Sequence, residues 1–87
     1  MQKKIKILYF SSLREDFGLS EEYVSYSENI STLSNLKNYL KNRGNIWMEK
    51  LAEDQPFRVA INQELIEGNV NINENDEIAF FPPVTGG

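Results

Sequence analysis

The 87-residue chain has nine Lys and Arg residues against thirteen Asp and Glu residues, a net charge of −4, and contains neither Cys nor His. Its length suits one domain and leaves little room for an enclosed catalytic cavity. The missing side chains exclude disulfides, thiolate metal ligands and the commonest general base, and the negative charge disfavours nucleic acid as a partner. No segment approaches the roughly 20 apolar residues that span a bilayer, so we expect a cytoplasmic protein without membrane contact.

The first predicted strand covers residues 3–10, where apolar and polar side chains alternate. This alternation is typical of a strand with one buried face. The residues of that buried face would be Ile5, Ile7 and Tyr9. Residues 11–19 mix polar and charged types around one glycine, and we predict a loop there. Residues 22–26 then return as a second strand, which predicts a hairpin.

The main helix is predicted to begin after a cap at Ser31 or Thr32. Its leucines recur at helical spacing, as Leu33, Leu36 and Leu40. Gly44 is predicted to stop this helix. A second, short helix could cover residues 46–53, and Trp47 within it is predicted to be a core or lid residue and not a platform for a ligand.

The C-terminal half is predicted to contain three further strands separated by turns. They cover residues 57–61, the short pair 65–66, and residues 77–81. The last strand should bury two side chains, Ile78 and Phe80. Pro82 and Pro83 follow at once, and because proline lacks the N–H that a sheet requires, the hydrogen-bonding ladder should end there.

Strands on both sides of one main helix predict an α+β fold in which a mixed sheet packs on that helix. A split βαβ sheet would need a second full helix before the last strand, and residues 62–76 do not provide one. We therefore predict a domain over residues 1–81 and a flexible, extended tail over residues 82–87.

The predicted tail is stiff at its diproline base and has no side chains at its tip. Pro82 and Pro83 hold the chain extended, and Gly86 and Gly87 carry no side chains. Six residues reach about 20 Å, enough to carry a terminal carboxylate into the active site of another protein. Glycine also leaves the terminal carbonyl open to a nucleophile. The pattern therefore predicts a carrier whose chemistry takes place at Gly87.

A free carboxylate is a poor electrophile, so such a carrier needs activation. The simplest route is an acyl-adenylate made by a separate ATP-dependent enzyme, followed by displacement of AMP. A sulfur nucleophile would leave a C-terminal thiocarboxylate on Gly87. Two other classes of protein fit the same ending: a ubiquitin-like modifier joined to lysines, and an interaction domain with a loose glycine tail.

The segment from Asp76 to Gly87 resembles the C-terminal run of the small, sulfur-carrier subunits of molybdopterin synthase. The resemblance extends upstream to the segment 5–10, the Arg14-Glu15 pair with Gly18, the segment 33–40, Trp47 and the segment 60–63. Where relatives often have glycine before the last strand, this chain has Asn75, which also tolerates a left-handed conformation. The resemblance implies a ubiquitin-like β-grasp fold with central, parallel first and last strands.

For function, the resemblance implies that an E1-like enzyme uses ATP to adenylate Gly87, which then becomes a thiocarboxylate. The large synthase subunit would receive the tail, and sulfur would pass to cyclic pyranopterin monophosphate to form the dithiolene of molybdopterin. The small subunit would be non-catalytic and bind no cofactor or metal, with the active site on the large subunit. Sulfur carriers of thiamine synthesis share the fold and the Gly-Gly end, but the stretch 80–85 favours molybdopterin synthase.

A docking surface can be predicted from the alternation of the outer strands. Phe10 and Phe81 fall on the face opposite the core, and Leu65 is predicted to lie beside them. Contiguous exposed apolar surface beside a reactive arm usually marks an interface, so we predict an apolar patch for the partner. Alternatively, Phe10 and Phe81 could pack on each other or under a loop. The tail residues predicted to contact the partner are Pro82, Pro83, Val84 and Thr85.

Overall fold

The computed structural model describes residues 3–83, which form a five-stranded mixed sheet and three helices. The elements in chain order are β1 (Lys4–Tyr9), α1 (Ser11–Phe17), β2 (Glu21–Ser25), α2 (Leu33–Lys41), α3 (Asn45–Lys50), β3 (Arg58–Ile61), β4 (Glu64–Ile66) and β5 (Glu77–Phe81). The predicted α+β architecture is confirmed. None of the helices within the described range is long and apolar enough to cross a membrane.

The sheet has the strand order β2-β1-β5-β3-β4. β1 and β5 pair in parallel in its interior, with Ile7 opposite Ile78 and Tyr9 opposite Phe80, and the other pairs are antiparallel. The parallel pairing of the first and last strands is therefore confirmed. Because β5 is hydrogen-bonded on both sides, its end at Phe81 is a firm starting point for the following chain.

The core lies between one face of the sheet and α2. Strand alternation and helical spacing each supply one apolar face, and the two faces meet. The most deeply buried side chains include the predicted Ile5, Ile7, Tyr9, Leu33, Leu36, Leu40, Ile78 and Phe80, together with Leu51 and Ile72. These residues form a single core on the side of the sheet that faces α2. The other side, which we call the outer face, is therefore the side that a partner can contact.

The ends of α2 match the prediction at one side only. Thr32 is the N-cap, and its Oγ1 accepts a hydrogen bond from the Asn35 backbone N–H at 3.1 Å. The predicted stop at Gly44 is wrong: the helix ends at Lys41, because the next N–H group along, that of Arg43, donates to the Leu40 carbonyl three residues back and breaks the α-helical pattern. Gly44 instead precedes α3.

The predicted loop over residues 11–19 is wrong, since most of it forms α1. The helix has seven residues and buries only one side chain, Leu13. Its sequence therefore lacks the repeated apolar positions from which a helix can be predicted. Gly18 ends it in the left-handed conformation, at φ 73°, and its N–H donates to the Arg14 carbonyl. β1 and β2 do pair antiparallel as predicted, but a helix connects them where a loop was expected.

The remaining elements lie close to their predicted positions. α3 covers Asn45–Lys50, so it starts one residue earlier and stops three residues earlier than the predicted segment 46–53. Trp47 is half-buried against the core, as predicted. Asn75 has a φ of 70°, which confirms the left-handed conformation expected where relatives have glycine. The proposed division into residues 1–81 and 82–87 stays a prediction, because residues 84–87 lie outside the described part of the chain.

Candidate docking face and tail base

A row of apolar residues crosses the outer face of the sheet. Leu8 on β1 is opposite Ala79 on β5, Ala79 is opposite Ala60 on β3, and Ala60 is opposite Leu65 on β4. Successive side chains of a strand point to opposite faces, so all four lie on the face away from α2. The structure thus brings the Leu65 side chain, as predicted, onto the same face of the sheet as Leu8 of β1 and Ala79 of β5.

Phe10 and Phe81 extend this row toward the end of β5. They line an open depression of about 450 Å³ with Leu8, Ala60 and Ala79, and Gln63 and Glu77 complete its lining. The Phe10 backbone N–H donates to the Phe80 carbonyl at 3.1 Å, which fixes Phe10 beside the strand end. We refer to the six residues Leu8, Phe10, Ala60, Leu65, Ala79 and Phe81 as the outer patch.

Exposure tests the alternative that a loop covers Phe10. Phe10 is 44% exposed and Leu65 is 56% exposed, whereas Phe81 is half-buried. Residues 3–83 therefore place no loop over Phe10, and its ring is open to another molecule. Below the patch the outer face becomes charged: Lys6 is opposite Glu77, and its Nζ lies 3.9 Å from Glu21 Oε2.

The tail begins directly at the edge of the outer patch. β5 ends at Phe81, and the next two residues, Pro82 and Pro83, are half-buried and extend beyond the sheet. The other predicted site residues, Val84, Thr85, Gly86 and Gly87, lie outside the described part of the chain. Apolar outer-face side chains and the start of the tail are therefore adjacent.

A partly buried polar network at the β2 edge of the sheet was missed from sequence. The Tyr9 hydroxyl donates to Glu22 Oε2 at 2.7 Å, and the Arg43 guanidinium donates to both Glu22 oxygens at 2.6 and 2.7 Å. The guanidinium also lies 4.8 Å from the centre of the Trp47 ring. These residues are far apart in sequence, so no local motif could have identified the network.

The network shifts the pKa of each of its members. Burial, reinforced by Glu22, raises the pKa of Tyr9. Burial alone would raise the pKa of Glu22, but the hydrogen bonds from Arg43 and Tyr9, with the charge of Arg43, outweigh it and lower that pKa. The hydrogen bonds to Glu22 raise the pKa of Arg43. Tyr9 is thus held protonated and Glu22 ionised at neutral pH, which suits a structural ion pair.

Comparison with known proteins places the chain in a family. A model of the ThiS family matches residues 7–87. The molybdopterin synthase sulfur carrier subunit of Escherichia coli (strain K12) is 35% identical over 83 residues, which cover 95% of this chain and 99% of that protein.

Two solved structures share the fold. Small archaeal modifier protein 1 from Haloferax volcanii superposes with a TM-score of 0.77 at 21% identity, over 94% of this chain and 99% of that one. A chain from the complex of subunits 1 and 2 of molybdopterin-converting factor from Helicobacter pylori 26695 gives 0.68 at 21% identity, over 97% and 99%. These likenesses establish the ubiquitin-like β-grasp fold. The family match and the near-full-length relative together show that the chain belongs to the ThiS family, among the molybdopterin synthase sulfur carrier subunits.

Proposed function

We propose that this protein carries sulfur as a thiocarboxylate on Gly87 and delivers it to the active site of a molybdopterin synthase large subunit. The observation that carries the proposal is the 35% identity to a curated sulfur carrier subunit over 95% of the chain. The position of the tail supports it, because the tail starts from a strand that is hydrogen-bonded on both sides. A rigid origin of this kind limits the directions in which the last residues can leave the domain.

In the first proposed step an E1-like enzyme activates the tail with ATP. A carboxylate oxygen of Gly87 attacks the α-phosphorus of ATP, pyrophosphate leaves, and an acyl-adenylate forms. A hydrosulfide ion, as the sulfur nucleophile, then attacks the carbonyl carbon, the bond to the AMP oxygen breaks, and AMP leaves. The product is a thiocarboxylate, and the chain itself holds neither ATP nor any other cofactor. The activating enzyme and its ATP would be met in the cytoplasm.

In the second proposed step the large subunit receives the tail. Two thiocarboxylated carriers in turn each pass one sulfur atom from Gly87 to cyclic pyranopterin monophosphate. Each sulfur replaces an oxygen substituent, each Gly87 returns to a carboxylate, and the two sulfur atoms form the dithiolene of molybdopterin. The catalytic residues would belong to the large subunit, and this chain would contribute the sulfur atom and its delivery. Pairing of two subunits is supported by the Helicobacter pylori structure, which is a complex of subunits 1 and 2 of molybdopterin-converting factor.

The outer patch is the proposed contact surface for these partners. Its six apolar residues are contiguous across four strands and end where the tail begins. Residues that pack the core lie on the other face, so the patch can be covered by a partner without disturbing the fold. When a partner covers the patch, the tail residues Pro82 to Thr85 would point into the surface of that partner.

Intact mass spectrometry tests the proposal. The protein is purified from its own cells, and the mass first establishes whether Gly87 is its last residue. Incubation with ATP, the activating enzyme and a sulfur donor should then raise the mass by the difference between a sulfur and an oxygen atom. The gain should disappear when Gly87 is deleted, while the deletion variant retains the circular dichroism spectrum of the intact protein.

Other outcomes would identify other functions. A mass that corresponds to an isopeptide bond with a target lysine would make the chain a ubiquitin-like modifier. No gain in mass, with Gly87 as the last residue and an activating enzyme that is competent on another carrier, would overturn the proposal. A thiocarboxylate that supports thiamine synthesis but not molybdopterin synthesis would keep the carrier chemistry and refute the acceptor.

A further inference from the structure

A second concave surface lies on the other side of the tail base. It is a cleft of about 310 Å³, and we refer to it as the tail-base cleft. One wall is formed by Ser12 and Leu13 of α1, the facing wall by residues 55–57 after α3, and the third by Pro82 and Pro83. The volume is near the lower end of the range for ligand pockets, which begins at about 300 Å³.

The chemistry of the cleft suits an apolar side chain. Leu13 and Phe57 contribute apolar surface, and Phe57 is anchored by its contact with Phe80, at 6.1 Å between ring centres. The charges in the cleft are already paired, because Lys50 Nζ lies 3.8 Å from Asp16 Oδ2. A charged ligand would have to break this pair, whereas an apolar group would only displace water from apolar walls.

The cleft and the outer patch lie on opposite sides of the same stretch of chain. Phe81 lines the depression of the outer patch, and the next residue, Pro82, lines the cleft. This division follows from strand alternation, which sends neighbouring side chains to opposite faces. A protein that receives the tail meets the chain where it leaves the sheet, and both surfaces border that point.

We propose that the tail-base cleft is a second docking site for the large subunit, which fills it with a leucine, methionine or phenylalanine side chain. The inference rests on the proposed function, since it assumes that a large subunit receives the tail. Contact on both sides of the strand end would hold the tail along the entrance of the channel more firmly than the outer patch alone. Buried apolar anchors in pockets of this kind dominate the binding energy of protein interfaces.

The test fills the cleft from opposite walls. Ser12→Phe acts from α1 and Gln55→Trp from the facing wall, and Ser25→Phe makes the same change as the first variant at an exposed site on β2, outside the cleft. Titration calorimetry with the purified large subunit measures the dissociation constant of each protein. Both filling variants should bind at least about tenfold more weakly, whereas Ser25→Phe should change the constant by no more than about twofold.

Each outcome has a defined meaning. Unfolding curves equal to that of the wild type show that the filling variants are folded, and weakened binding by either folded variant supports the cleft. Unchanged affinity in both overturns it, and tighter binding also overturns it, because it would mean that the chain's own tail occupies the cleft. Self-association that is lost in Ser12→Phe would assign the cleft to a second copy and overturn the inference. Failure of the wild type to bind the large subunit would instead refute the proposed function.

Discussion

Glu22 shows how one residue ties an edge strand to the helical layer. It lies on β2, and its carboxylate accepts two hydrogen bonds from Arg43, which follows α2, and one from Tyr9 on β1. Its side chain is 17% exposed, so its charge is largely withdrawn from water and depends on these donors. A carboxylate paired in this way stabilises the fold only while it is ionised.

The pH dependence of stability follows from the lowered pKa of Glu22. Because the folded pKa lies below the unfolded one, this stabilisation is fully present above the unfolded value of about 4.3 and is lost as the pH falls through the folded pKa. We expect Glu22→Gln to lower the free energy of unfolding at pH 7 by about 1–2 kcal/mol. The variant should also lose less stability than the wild type when the pH falls below about 4.

Urea unfolding at several pH values, followed by circular dichroism, checks this expectation. Glu28→Gln is the control, since it removes the same charge at an exposed site. It should leave the free energy of unfolding at pH 7 within about 0.5 kcal/mol of the wild type. Equal effects of the two variants at pH 7 would contradict a structural role for the Glu22 network.

At the level of elements, α1 depends on its neighbours more than on its own sequence. A seven-residue helix is too short to be stable alone, because helix nucleation is unfavourable and few hydrogen bonds follow it. Phe17 at its last position stacks on Trp47 of α3, with 3.9 Å between ring centres and 2° between planes. Tyr9 meets both rings edge-on, so the stack joins α1, α3 and β1.

Removing the stack should destabilise the whole domain. We expect Phe17→Ala to lower the free energy of unfolding by about 2–3 kcal/mol, because a half-buried aromatic ring and its stacking contact are lost together. Denaturant unfolding followed by fluorescence of Trp47, the only tryptophan in the chain, measures the change. Tyr23→Ala is the matched control: this ring is 59% exposed, and its loss should matter far less. A smaller effect of Phe17→Ala than of the control would refute the role assigned to the stack.

At the scale of the whole molecule, stability and partner binding are assigned to opposite faces of one sheet. The inner face packs against α2, whereas the outer patch contributes no residue to the buried core. A change on the outer face can therefore alter an interaction without altering the fold. This separation makes the proposed docking surface open to a direct test.

Phe81→Asp should weaken binding to the large subunit by at least about tenfold, because it places a charge within an apolar contact. Its free energy of unfolding should fall by no more than about 1 kcal/mol, since Phe81 is half-buried on the outer face. Titration calorimetry and denaturant unfolding measure the two quantities. Tyr23→Asp makes a comparable change on an exposed aromatic of the edge strand and should bind like the wild type. Equal affinity of wild type and Phe81→Asp would exclude the outer patch as the docking surface.

Much of the fold could be predicted because its signals are local. Alternation along β1 and β5 identified the buried faces, the leucine spacing of α2 identified the main helix, and the adjacent Ser31 and Thr32 located its start to within one residue. The same alternation placed Phe10 and Phe81 on the outer face. The stretch from Asp76 to Gly87 indicated the carrier class, and the role of Gly87 itself stays a prediction.

Tertiary structure decided the features whose partners are distant in sequence. α1 forms because Phe17 meets Trp47, thirty positions away, and Glu22 is paired because the fold brings Arg43 beside it. The tail-base cleft exists only where α1, the segment after α3 and the end of β5 converge. Periodicity reports which side of its own element a residue faces, and it carries no information about which other element will lie there. The buried faces could therefore be predicted from the sequence, whereas the contacts around the tail base could be identified only in the folded domain.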